Sequence, residues 1–147
     1  MKQKSKNKMI LQFTALSQNE CFARQAICAF LAGLDPTLEE ISDLRIIISE
    51  GVTNCIVHAY RGRSDGIISI SVECFESRNI KIKIRDKGCG ISNIEQCMQP
   101  LFTTDAEGER GGMGLPIIQS LADKLSITSK VGKGTTLCIW KKFSPLT

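Results

Sequence analysis

Apolar and polar residues alternate over positions 10–15 (ILQFTA), the period of a half-buried strand. Ser17 and Glu20 then have capping-box spacing, which opens a helix over about residues 18–34. Asp35-Pro36 interrupts it. Thr37 with Glu40 repeats the capping pattern ahead of a second helix that runs to about Tyr60. Residues 61–66 are turn-rich. Alternation returns over residues 67–75 and 79–86, joined by a short turn, and predicts an antiparallel hairpin. Residues 87–114 show little periodicity and hold six of the 12 glycines. A stretch that long without regular structure points to a functional lid or a disordered segment. Residues 115–124 read as a third helix with Pro116 in its first turn. Residues 125–130 and 135–142 read as two strands around a turn at 131–134. The order β-α-α-β-β-loop-α-β-β is dominated by hairpins, so a largely antiparallel sheet with helices on one face is expected.

Composition narrows this picture. The 147 residues fit one domain, and 42% apolar with 23% charged residues is ordinary globular usage. That excludes long disorder, collagen and a coiled coil, and no apolar run reaches the ~20 residues of a membrane helix. The formal net charge of +4 is concentrated at the start, MKQKSKNK, which holds Lys2, Lys4, Lys6 and Lys8. Removing those four from the 19 lysines and arginines leaves 15, matching the 15 acidic residues. A global basic field for nucleic acid is therefore not expected, and residues 1–8 read as a solvated tail. No apolar stretch follows them, so they do not read as a secretory signal. Seven cysteines, none in a C-x-x-C pair, argue against a disulfide framework or a structural zinc site. Reduced thiols in a cytoplasm, most of them packed in the core, are expected.

Four constellations could carry chemistry. Glu50, Asn54 and His58 recur every four residues and form one stripe on the second helix. The stripe either faces solvent or forms a site with a carboxylate to accept a proton and an amide to hold a hard cation such as Mg²⁺. Gly51 costs about 1 kcal/mol in a helix interior, which suggests a close approach to the backbone there. Asp86-Lys87-Gly88-Cys89-Gly90 ends a strand. It is either a plain glycine turn or a place where Asp86 accepts from a ligand amine, with Gly88 and Gly90 permitting positive φ. Arg110-Gly111-Gly112-Met113-Gly114 precedes a helix, so it is a flexible loop or a phosphate cradle with Arg110 as a planar donor. It has neither the Walker spacing nor a surrounding βαβ unit. Gly134-Thr135-Thr136 opens the last strand.

E-x-x-x-N on a helix, D-x-G-x-G after a hairpin, a glycine-rich lid and a late G-T resemble, in this order, the GHKL ATPase/kinase superfamily. The resemblance spans about residues 9–140. It implies a two-layer α/β sandwich with a mixed, mostly antiparallel sheet and helices on one face. Within it, LSQNECFAR, LDPT, SEGVTNCIVHAY, QPLFTT and GMG resemble the anti-sigma-factor serine kinases of endospore-forming bacteria. The domain is then expected over residues 9–143, between tails at 1–8 and 144–147.

That resemblance implies a protein that inhibits a sporulation sigma factor and uses ATP and Mg²⁺ to phosphorylate a serine of its anti-sigma-factor antagonist. Glu50 would be the general base and Asn54 the Mg²⁺ ligand. Asp86 would take the adenine amino proton, with Gly88 and Gly90 shaping the pocket and Thr135 supporting it. Gly112, Met113 and Gly114 would cradle phosphates, Arg110 would reach the γ-phosphate, and Thr104 would belong to the same nucleotide site. Arg24, on the first helix, would contact the sigma factor or the antagonist. The resemblance also implies a homodimer, with no direct nucleic-acid or membrane partner. Two other readings stand beside it: a stress-response type of anti-sigma kinase, and a nucleotide-dependent sigma-binding module without kinase activity. Glu50 discriminates the last, because a pure binder needs no carboxylate beside the phosphate.

Overall fold

Isoleucine and valine at every second position of residues 68–72 and 80–84 commit both runs to strands with one buried face. A computed structural model describes residues 3–99 and 114–146. In chain order the elements are β1 (Ser5–Thr14), α1 (Gln18–Leu31), α2 (Leu38–Thr53), β2 (Ile67–Phe75), β3 (Asn79–Asp86), α3 (Ile94–Cys97), α4 (Leu115–Leu121), β4 (Lys124–Lys130) and β5 (Gly134–Lys142). The five strands form one sheet in the order β1-β2-β3-β5-β4. Every pairing among them is antiparallel, with no parallel pair among the described strands.

Register builds the core. Ile70 faces Ile84, which faces Leu137, and Val72 faces Ile82, which faces Ile139. Onto this apolar face pack Ala23, Ile27 and Leu31 of α1 and Leu44, Ile47, Ile48 and Val52 of α2. Each fully buried aliphatic side chain contributes about 1.5–3 kcal/mol by leaving water. Lys141 also lies on the inner side, where its Nζ donates to Asp43 (3.2 Å) and to the Leu121 carbonyl (2.8 Å). It ties β5 to α2 and α4.

The other face of the sheet is open. By alternation it carries Lys8, Ser69, Ser71, Lys81, Lys83 and Arg85, with Glu73 paired between Lys8 and Lys81. Trp140 stacks on Phe75 and lies under the Lys81 ammonium, 4.9 Å from its ring centre. Basic side chains therefore collect on this face.

Several expectations change. β1 begins at Ser5, ahead of the domain start expected at residue 9, so half of the basic segment read as a tail is strand. Its first four residues are exposed and two are lysines, which suits an edge strand that must resist further pairing. The capping box at Thr37 forms, with Glu40 N–H on Oγ1 at 3.1 Å and Thr37 N–H on Glu40 Oε1 at 2.8 Å. The one expected at Ser17 does not, because Ser17 is itself in helical geometry and makes no side-chain cap bond. α1 stops at Leu31, a 3₁₀ turn covers Ala32–Leu34, and Asp35 at φ 51° reverses the chain. α4 ends at Leu121, where Ala122 is already extended and Asp123 N–H pairs with the Trp140 carbonyl. The stretch read as loop after Asp86 contains α3, capped by Asn93 Oδ1 accepting from Gln96 N–H at 3.0 Å.

Candidate active site

The polar stripe of the second helix sits where the helix widens. α2 is regular to Thr53, and Asn54–Ala59 continue as a π-helix, with Tyr60 N–H reaching the Cys55 carbonyl at 2.9 Å. Single π turns occur frequently at functional sites. Here the wide turn forms one wall of a cavity of about 390 Å³, contributing Asn54, Cys55, His58 and Ala59. Asp86, Cys89, Gly90 and Thr135 line it from the sheet side. That volume is within the usual range of small-molecule sites.

Asp86 ends β3 at the cavity and is only 7% exposed. Its Oδ1 accepts from the N–H of Gly88 (2.9 Å) and of Thr135 (3.2 Å), and the Cys55 thiol donates to Oδ2 at 3.6 Å. Burial raises its pKa above the ordinary aspartate range; the bonds from Gly88, Cys55 and Thr135 oppose that shift without cancelling it. Burial first, and then the Asp86 charge, pushes the Cys55 thiol well up, so the sulfur stays a donor. Asp86 is thus a fixed carboxylate facing a cavity, able to read a hydrogen-bond donor on a ligand. Asn54 is 6% exposed, and its Nδ2 has no hydrogen-bond partner. A buried amide left unpaired costs about 1–3 kcal/mol, and this nitrogen is shut away from solvent.

Glu50, one turn earlier on α2, meets the start of α4. A Cβ placed on Gly114 would lie 2.1 Å from Glu50 Oε2, so the glycine lets the Glu50 carboxylate come close, and its φ of 68° would strain any side chain there. Burial raises the Glu50 pKa above the ordinary glutamate range, which suits a group that must accept a proton near neutral pH.

The glycines have distinct reasons. Gly90, at φ 77°, uses the positive φ expected of it, and a Cβ there would meet the Lys130 carbonyl at 2.4 Å. Gly88 does not adopt positive φ; it is small because the Ala59 carbonyl lies where its Cβ would be. What approaches Gly51 is Ile84 Cδ1, 2.3 Å from a Cβ there, so this glycine lets α2 seat against β3.

The structure therefore brings Glu50, Asn54, Asp86, Gly88, Gly90, Gly114 and Thr135 to one region. Arg24 is elsewhere, on α1, one-third exposed and 3.6 Å from Glu20. Glu20 in turn accepts from the Ser49 hydroxyl, beside Glu50. Thr104, Arg110, Gly112 and Met113 lie outside the described residues. Among the described residues no group of three or more His, Cys, Asp and Glu side chains is set to hold a metal ion.

Two positioning residues were not singled out from the sequence. The Tyr60 hydroxyl accepts from Lys87 N–H (2.7 Å) and donates to the Ile67 carbonyl (2.6 Å), which fixes the chain just after Asp86. Ser129 Oγ lies 2.8 Å from Thr135 Oγ1 and accepts from Ile91 N–H at 2.7 Å. The signal for Ser129 was present: a hairpin closed at 131–134 puts it opposite Thr135.

Comparison with known proteins bears on this geometry. The family model for the histidine kinase-like ATPase domain matches residues 13–141. The anti-sigma F factor of Bacillus cereus (strain G9842) is 48% identical over 139 residues, 95% of this chain and 94% of that one. The chain belongs to the histidine kinase-like ATPases and, among them, to the anti-sigma F factor family. The anti-sigma F factor of Bacillus thuringiensis (strain Al Hakam) is 47% identical over the same share. Among solved structures, the RsbU and RsbW domains of Rv1364c from Mycobacterium tuberculosis align at TM-score 0.71 and 18% identity, over 97% of this chain and 34% of that one. The catalytic domain of histidine kinase ThkA aligns at TM-score 0.54 and 18% identity, over 70% of this chain and 67% of that one. At such identities the structures speak for the fold alone, and it is the sandwich that the motif order implied.

Proposed function

We propose that this chain holds a sporulation sigma factor inactive and, with Mg-ATP, phosphorylates a serine on that factor's anti-sigma-factor antagonist. The observation that carries this is the cavity lined by a buried, donor-locked Asp86 and by Asn54, with Glu50 one helical turn before Asn54 on α2.

The residues present fit the nucleotide and its metal. Asp86 offers a desolvated carboxylate to an exocyclic amine, and Asn54 lines the same cavity with an amide whose oxygen would be the atom to meet a metal. Mg²⁺ is usually held by one or two carboxylates together with substrate phosphates and several waters, so an amide oxygen from Asn54 would leave most of the shell to phosphates and water. Bound Mg-ATP supplies the transferable phosphoryl group and neutralises its charge. Asp86 reads the base, with Thr135 and Gly88 holding its carboxylate in place. Asn54 holds the metal. Under this reading Gly112, Met113 and Gly114 cradle the phosphates by backbone N–H, Arg110 reaches the γ-phosphate, and Thr104 belongs to the same nucleotide site. Glu50 takes the proton of the substrate serine, a role its raised pKa and its place against Gly114 support. Arg24 serves as a contact for the protein partners. The chain works as a homodimer in the cytoplasm under this reading.

The test is incubation with labelled ATP, Mg²⁺ and the cognate antagonist, followed by phosphosite mapping. The expected result is one phosphoserine on the antagonist with wild type and none with Glu50→Gln, while Glu50→Gln still binds ATP. Undiminished transfer by that variant removes Glu50 as the base; ATP hydrolysis without transfer removes the kinase.

A further inference from the structure

The strand registers lay out the open face of the sheet. Lys8 of β1 faces Glu73, which faces Lys81; Ile10 faces Ser71, which faces Lys83; Gln12 faces Ser69, which faces Arg85. On the other side of β3, Trp140, Cys138 and Thr136 of β5 face the same three cations. Lys81, Lys83 and Arg85 therefore form a row, and short side chains flank Lys83 and Arg85 on both sides. Those two cations are exposed, and among the described residues neither makes an ion pair.

Between this row and β1 lies a groove of about 210 Å³, with Ser69 and Ser71 between Lys83 and Arg85 on one side and Lys8 and Ile10 on the other. Ile10 is 64% exposed. Arg85 also lines two neighbouring depressions of about 450 Å³ each, where it is joined by Lys87. One of them adds Arg63, the other Lys130 and Lys133. The acids there are already engaged: Asp65 pairs with Arg63 at 3.2 Å, and Asp86 is buried among its hydrogen-bond donors. Cations at every second position of a strand stand about 7 Å apart. That is inside the screening length of about 8 Å in physiological salt, so they repel one another. An extended chain has the same repeat, and carboxylates at alternate positions meet the row in register.

We propose that this face is a docking surface for an extended, acidic segment of a partner protein, with its carboxylates on Lys83 and Arg85 and an apolar side chain against Ile10. Such docking does not depend on what fills the nucleotide cavity. A second copy of this chain fits badly, because two such faces set cations against cations. Nucleic acid also fits badly. Single strands are held by stacking bases on open aromatic rings, whereas here Phe75 and Trp140 stack on one another and Lys81 lies over the indole.

The experiment uses the full chain and a fluorescein-labelled peptide of about ten residues, alternating Glu and Ser to match the row. Anisotropy reads binding at about 0.05 M salt, where exposed charges are least screened. A peptide of the same length with Gln for Glu, and a labelled oligo(dT), are the comparison probes. Wild type is set against Lys83→Glu and against Arg45→Glu, the same change of charge on the helix layer. Lys83→Gln is the second variant should Lys83→Glu fail to fold. The Glu/Ser peptide is expected to bind wild type and Arg45→Glu alike, with or without Mg-ATP. Lys83→Glu is expected to lose about fivefold or more, and the Gln/Ser peptide to bind at least about fivefold more weakly. Any of six results overturns the proposal: no binding by folded wild type, equal binding of the Gln/Ser peptide, equal loss in Arg45→Glu, displacement of the peptide by Mg-ATP, oligo(dT) binding at least as tightly, or a changed oligomeric state of Lys83→Glu in sedimentation. The fourth would move the peptide to the nucleotide cavity, the fifth would give the face to nucleic acid, and the last would give it to a second copy.

Discussion

Asp86→Asn separates reading the base from holding the fold. The substitution keeps the size of the side chain and one carbonyl oxygen. That oxygen still accepts from Gly88 and Thr135, at the positions now 2.9 and 3.2 Å from Oδ1. The other oxygen becomes an NH₂ facing the Cys55 thiol and, under the proposed reading, the amine of the base, donor against donor. A hydrogen bond to a charged group contributes about 1.5–3 kcal/mol. At 1.4 kcal/mol per factor of ten, ATP affinity falls roughly ten- to hundredfold. Stability moves differently. Burial raises the folded pKa of Asp86, so at neutral pH the native state carries a desolvated charge that the neutral amide does not. The melting temperature of the free protein therefore holds or rises. Isothermal titration with Mg-ATP and a thermal melt of the same sample read the two effects. ATP affinity equal to wild type would remove Asp86 as the base-reading group; a large drop in melting temperature would show that its hydrogen bonds serve the fold first.

The raised pKa of Glu50 means that its ionised, proton-accepting form is lost at a higher pH than for an ordinary glutamate. The acid limb of kcat against pH is expected above the usual carboxylate range of about 4.3, and an ordinary value contradicts the base role. The same logic at Asp86 makes ATP affinity fall as pH drops through its raised pKa, measured by titration in buffers of matched ionic strength. Arg110→Ala is expected to weaken ATP far more than ADP in parallel titrations; equal loss removes its γ-phosphate role. Gly90→Ala meets both a positive φ and the Lys130 carbonyl, so it should cost about 1–3 kcal/mol in urea unfolding. Gly62→Ala has a positive φ but no atom near its Cβ, and is the milder control.

Patterns with one strong period were readable in the sequence. The alternation in residues 67–75 and 79–86 and the Thr37/Glu40 box are local, and the structure forms them with nearly the expected bounds. Glu50, Asn54, Asp86 and Thr135 sit on a helix repeat and two strand ends that local rules place, while their roles come from the family resemblance, and the structure brings them to one region. What was missed depends on long-range pairing. Ser5–Lys8 lack apolar alternation, and only β2 recruits them into the sheet. Ser17 matches a capping pattern, but Glu20 is drawn instead to Ser49 on α2. The π turn has no signature in composition, and Tyr60 acts through a hydroxyl bridge between segments that no window contains.

The pairing of Asp86 with Thr135 joins positions separated by 49 residues. Closing such a loop is the slow part of assembling a sheet, since chain entropy is lost before contacts repay it. The hairpin of β2 and β3 and the helices before it can form from nearby sequence. The cavity cannot exist until β5 docks beside β3. Nucleotide therefore selects chains that have finished folding, and by mass action it holds that last strand in place. In a cell where ATP is abundant, the ligand is in effect the final element of the sheet to arrive, and the check that the others are there.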